Sequence, residues 1–186
     1  MARVAVATEE GLGAENGVRG GVTEPAHLGD ERTAILGYLQ RQRDLVAWKL
    51  RDATDETLAS VSMPSGLNLH GIVRHLTNVE RSWVREFFGG QSGLVFDVTD
   101  EDPDGDFRHD GTPIEDLLVA YAKETRSCDA VIAAAPSLDA TATDEDGTYS
   151  LRWILLHLIE ETGRHLGHID LLRERADGAV GEGPGG

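Results

Sequence analysis

Residues 150–175 read SLRWILLHLIEETGRHLGHIDLLRER, and their periodicity decides the fold. Apolar residues return at three- and four-residue steps from Ile154 to Leu172, the pattern of one long amphipathic helix. His157, Glu161 and His165 follow one another at i, i+4, and His168 comes three residues later. At about 100° per residue these four side chains fall within an arc of roughly 80°, which also holds Ile154 and Leu172. Titratable groups on the apolar side of a helix face a protein interior, where they are costly unless paired or coordinated.

Three other stretches share this periodicity. One runs from about Asp30 to Arg51, carrying Ile35, Tyr38, Leu39, Leu45 and Val46, with Asp30 as its N-cap. A second spans Asn68 to Phe88, with Leu69, Ile72, Leu76, Val79, Trp83 and Phe87 on one stripe and Gly89-Gly90 at its end. A third covers about Pro113 to Ala135, where Thr112, Pro113 and Glu115 predict a capping box with proline at the first helical position. The quoted helix extends to about Ala176. A short segment, Asp55 to Ser60, predicts one or two further turns. Long amphipathic helices without a series of strands predict an all-α fold, a four-helix bundle with a long acidic loop at residues 89–112 between helices two and three. Residues 136–149 read as a loop with an Asp146-Gly147 turn. Residues 1–28 read as a flexible N-terminal leader interrupted by Gly20 and Gly21. The bundle domain occupies 29–177, and 178–186 form a flexible tail.

Composition narrows the function. A core of about 150 residues buries about 70% of its unfolded surface and needs no staple. The single cysteine, Cys128, excludes an intrachain disulfide. It lies on the apolar stripe of the third helix and reads as a buried structural thiol. Thirty-three acids against 17 Lys and Arg give a net charge of −16, which repels nucleic-acid phosphates and anionic membranes. No apolar run approaches the ~20 residues that span a bilayer, and no secretory apolar segment opens the chain. A soluble, cytoplasmic protein without nucleic-acid or membrane partners is the expectation.

On the second helix, His75 stands at the edge of the Ile72, Val79 and Trp83 stripe. Imidazole and carboxylate suit Zn²⁺, Ni²⁺ or Fe²⁺, and bundle metal sites are assembled from facing helices. Spacing alone leaves two readings open, hydrogen-bonded core histidines or a metal centre. Asp100, Asp102, Asp104 and Gly105 start like an EF-hand, but Gly111 stands where its last Glu belongs and Pro103 breaks the run. A solvated loop or lid over the bundle mouth is the preferred reading. Gly163 and Gly167 leave room for a close helix approach, within the chain or across a homodimer.

The segments HLTNVERSW (75–83) and LRWILLHLIEETGRHLGH (151–168) resemble the two signature helices of the DinB-like superfamily, which includes bacillithiol S-transferases and mycothiol-dependent maleylpyruvate isomerase. The likeness covers about residues 30–176 and takes in the DPDGDF stretch of the acidic loop. It implies a divalent metal, zinc before nickel or iron, held by His75, Glu161 and His165. Many members carry His where this chain has Glu161; the mycothiol-dependent isomerase is similar to it in using Glu. His157 and His168 then become candidate catalytic residues, orienting a ligand or moving protons, against the plainer reading of paired or solvent-facing histidines. The implied reaction is S-transfer to, or isomerisation of, a small electrophilic substrate with a low-molecular-weight thiol such as mycothiol as cosubstrate. A metal-dependent small-molecule hydrolase and a non-catalytic metal- or ligand-binding stress protein are the alternatives. Arg74, Arg81 and Arg164 are candidates for holding an anionic substrate.

Overall fold

Helix starts are where local chemistry acts most directly. Asp30 accepts from the Thr33 amide at 2.7 Å, Asn68 from Gly71 at 2.8 Å, and Ser150 from Trp153 at 3.2 Å. Each side-chain oxygen satisfies an amide that the first turn cannot pair internally. The computed structural model describes residues 17–181 and 183–184. Its elements are β1 (Gly17–Arg19), β2 (Val22–Glu24), α1 (Glu31–Leu50), α2 (Asp55–Ala59), α3 (Leu69–Glu80), α4 (Ile114–Ala134), β3 (Thr141–Thr143), β4 (Thr148–Ser150) and α5 (Leu151–Asp177). The chain is mostly helical, as an all-α bundle requires. α1 packs on α5 and α3 on α4, with α3 also meeting α5.

Several expectations change. The second long helix is α-helical only to Glu80 and continues from Arg81 to Phe88 as a π-helix. The capping box at Thr112 does not form. Pro113 precedes α4 without a side-chain cap, and the Ile114 amide donates instead to Asp55 Oδ1 of α2 at 2.7 Å. A carboxylate from a distant element has replaced the local hydroxyl.

Two stretches read as irregular are hairpins. In the leader, Gly17 pairs with Glu24 and Arg19 with Val22. Gly20 and Gly21, at φ 56° and 84°, make the two-residue turn that only left-handed backbone allows. Val22 is fully buried, and Asp44 of α1 accepts the Thr23 amide at 2.8 Å, so this hairpin is docked on α1. The part of the leader before Gly17 lies outside the described residues. Within 136–149, β3 pairs with β4 around Asp146-Gly147, whose amides both donate to Asp144 Oδ1. Strands of three residues are too short to show a period, which is why neither hairpin is legible in the sequence. The tail also has contacts: Gly178 ends α5 in the left-handed conformation, and Lys49 donates to the Gly181 carbonyl at 2.7 Å.

The core divides into two apolar clusters, one around Leu50, Ile72, Leu76 and Ile169, the other around Leu39, Val84, Cys128 and Leu155. On each long helix the change from one cluster to the other falls at polar residues: Arg43 on α1, Glu80 at the end of α3, Glu124 and Thr125 on α4, and Glu161, Thr162 and His165 on α5. The bundle therefore carries a polar waist. No helix among the described residues is long and apolar enough to cross a membrane.

Gly163 and Gly167 do not mark a close approach inside the chain. A Cβ at Gly163 would meet only the Gln42 side chain, at 3.5 Å, and one at Gly167 would face open space.

Candidate metal centre

In the waist, α5 presents Glu161 and His165 one turn apart and α3 presents His75 opposite them. The Glu161 Oε1 atom lies 3.2 Å from His75 Nε2 and 3.2 Å from His165 Nε2. One donor atom from each residue lies within 4.8 Å of the other two. The idea that two helices aim nitrogen and oxygen donors at one point holds.

A fourth residue, absent from the sequence reading, completes the arrangement. Asp106 Oδ2 accepts from His75 Nδ1 at 2.9 Å, and its other oxygen accepts from Asn78 Nδ2. Asp106 is only 4% exposed, although it belongs to the acidic loop. It arrives through a short 3₁₀ turn at Gly105–Phe107 that lies against α3. Gly71 makes this possible, because a Cβ there would come within 2.7 Å of Phe107 Cα. Phe107 then stacks on the His75 ring, with centroids 5.3 Å apart. The DPDGDF stretch was the available signal. Most of the loop is exposed, as a solvated loop would be, but its Gly105–Phe107 turn is an arm against α3, and its useful carboxylate is Asp106.

The donor chemistry fits a cation. With its Nδ1 hydrogen given to Asp106, a neutral His75 turns the lone pair of Nε2 toward the carboxylate oxygen of Glu161. Two partners with unshared electrons at one point need a proton or a metal between them. Burial opposes a charge on His75, but the carboxylates of Asp106 and Glu161 outweigh it and raise its pKa above the ordinary histidine value. Burial also opposes the charge on Glu161, yet the hydrogen bond from His75 and the neighbouring His165 and Arg164 hold it below the usual carboxylate range. Burial, then the neighbouring His75, push His165 down to about 4, so its imidazole stays neutral and able to ligate. A carboxylate on the far nitrogen of a ligating histidine is the usual device for fixing its tautomer.

His168 touches this group, its Nδ1 lying 3.4 Å from His165 Nδ1. His157 does not join it. Its ring stacks on Trp153 at 5.2 Å and meets the edge of Trp83 at 5.0 Å, within an aromatic cluster that includes Phe87 and Tyr149. Two of the three candidate arginines are already engaged. Arg74 bonds the Arg108 carbonyl and Asp110 at 2.8 Å, and Arg81 grips Glu124 with two nitrogens at 3.1 and 2.9 Å. Arg164 is 59% exposed and reaches Glu161 Oε2 at 3.5 Å. Cys128 is buried against the Glu80 carbonyl, and burial pushes its thiol well up from the ordinary value.

Beside His75 opens a cleft of about 390 Å³ between α3 with its π-helical continuation and the acidic loop. Asn78, Val79, Ser82, Trp83 and Glu86 form one wall, and Phe96 and Val98 the other. A small-molecule site has this form, a concavity that combines apolar side chains with convergent polar groups.

The two imidazoles and one carboxylate that converge here, from His75, His165 and Glu161, are the donors the resemblance implied. No curated protein matches this chain. The model of the family described as mycothiol-S-transferase matches residues 34–178, a span that takes in His75, Asp106, Glu161 and His165. The chain belongs to the mycothiol-S-transferase family, within the DinB-like superfamily.

Proposed function

We propose that this protein is a metal-dependent transferase that joins a low-molecular-weight thiol, mycothiol or a close analogue, to a small electrophile. The observation that carries the reading is the convergence of His75, Glu161 and His165 within 4.8 Å beside an accessible cleft. Three protein donors leave room for an exogenous ligand, the pattern of catalytic rather than structural sites. A divalent cation held there, zinc by preference, favours the thiolate form of a bound thiol.

The protein's own residues supply orientation. Asp106 keeps the Nδ1 hydrogen of His75 engaged and its Nε2 directed at the centre. His168 bears on the far nitrogen of His165 in the same manner. The cleft brings the electrophilic carbon to the sulfur. The S–H bond is broken, the proton leaves to solvent, a C–S bond forms, and the leaving group departs with its electron pair. His157 contributes a wall of the aromatic cluster in this scheme. A reduced cytoplasmic thiol pool would supply the cosubstrate.

The test uses purified protein, mycothiol and a chlorinated fluorogenic electrophile, with the thioether followed by mass spectrometry. The reading expects about one equivalent of bound metal, conjugate formation abolished by chelation, and loss of both in His165→Ala. Metal-loaded protein that forms no conjugate overturns it in favour of a binding module. Ester or amide turnover without added thiol overturns it in favour of a hydrolase.

A further inference from the structure

Charge, more than shape, distinguishes the cleft beside the triad. Its lining contains two carboxylates, Glu86 and Asp106, and neither a lysine nor an arginine. Arg81, whose guanidinium stands over the Phe96 ring at 5.7 Å, is outside the lining and shares the Glu124 carboxylate with Arg85. Glu86 is exposed and has no ion-pair partner among the described residues. The chain as a whole carries −16. An anion entering here meets the Glu86 and Asp106 carboxylates, and the lining offers it neither a lysine nor an arginine.

Much of the remaining lining is apolar. Trp83 and Phe96 face the cleft from opposite walls, with Val79 and Val98 beside them. Trp83 is itself held by edge contacts with Phe87 and Tyr149, at 5.7 and 5.6 Å, so its ring is a fixed plane. Asn78 and Ser82 are the neutral polar groups on the same wall.

We propose that this cleft is the acceptor pocket and that it selects uncharged aromatic or aliphatic electrophiles and rejects carboxylates. The assignment rests on the transferase reading and narrows its substrate class. Organic acids of the kind an isomerase in this superfamily handles are poor ligands for it. Trp83 and Phe96 supply affinity, and Glu86 supplies discrimination.

The experiment is equilibrium dialysis of 2-naphthamide and 2-naphthoate against the protein as purified, without thiol. The wild type should bind the amide at least tenfold more tightly than the carboxylate. Glu86→Gln should narrow that ratio and Glu86→Arg should abolish or reverse it, both at an exposed position that leaves folding intact. Trp83→Ala should weaken both probes together and preserve the ratio. Equal binding of the two probes, absence of binding by either, or a ratio unmoved in Glu86→Arg overturns the proposal. Since dialysis involves no turnover, these outcomes are independent of the conjugation assay. Failure to conjugate with the binding ratio intact strikes the transferase reading alone.

Discussion

Arg43 and Glu80 lie in the polar waist of the bundle, as do His75, Glu161 and His165, but the two groups differ in how their bonding is completed. Arg43 meets Glu80 through two parallel hydrogen bonds of 2.6 and 2.7 Å and reaches Asp129 with a third nitrogen at 2.8 Å. Every strong donor has its acceptor, and the two main partners are 4% and 2% exposed. The triad has one carboxylate oxygen facing two imidazole nitrogens and borders a cleft. A buried ion pair that closes on itself has a structural role. A buried cluster with unmatched lone pairs at an opening is prepared for a ligand. Burial and polarity alone do not separate the two, whereas the balance of donors and acceptors does.

Breaking each side of this contrast should give opposite readouts. The largest expected effect on stability is at the ion pair. Glu80→Ala leaves the Arg43 guanidinium without its main partner and should cost about 3–5 kcal/mol in urea unfolding. Metal content per folded molecule should stay near that of the wild type. His165→Ala should reverse the pattern, with bound metal falling below about a tenth of an equivalent while the chelated protein loses less than about 1 kcal/mol. Comparable loss of stability in both variants would dissolve the distinction.

The arm that brings in Asp106 sharpens the contrast at intermediate size. Asp106→Asn removes the anionic partner of His75 and should weaken metal binding about 10–100-fold, measured by competition with a chromophoric chelator. Gly71→Ala should approach the same loss without touching any donor, because the new Cβ displaces Phe107 and the turn carrying Asp106. Normal affinity in Gly71→Ala would show that the arm is not needed to hold His75.

A smaller effect concerns pH. In the metal-free protein His75 carries a raised pKa, so below that value metal must displace its proton. Affinity should therefore fall as pH falls through it, by about tenfold per unit. His165, down to about 4, adds a second proton only in stronger acid. Proton release on metal addition, read in a weakly buffered solution, should decline as pH rises past the His75 value. The smallest expected effect is Cys128→Ala, which should leave conjugation unchanged because that thiol is buried and held protonated.

What the chain announces locally, the sequence reveals. Helix periodicity and caps depend on neighbours within four residues, so Asp30, Asn68 and Ser150 were legible as starts. Glu161 and His165 were legible as a pair for the same reason. Their likeness to a known pattern then singled out His75, across 86 residues from Glu161.

Other features depended on distant contacts. Asp106 is one of many acids in its loop until the turn at Gly105–Phe107 folds onto α3 and buries it against His75. Asp55, not Thr112, caps α4 because tertiary packing brings a better acceptor to the Ile114 amide. Arg74 and Arg81 looked available on their helix faces, yet Asp110 and Glu124 already pair with them. The hairpins at 17–24 and 141–150 exist because α1 and the start of α5 give their short strands something to pack on. Helical geometry is written in short-range spacing, but which charge meets which partner is set by where the chain returns, and only the folded structure decides that.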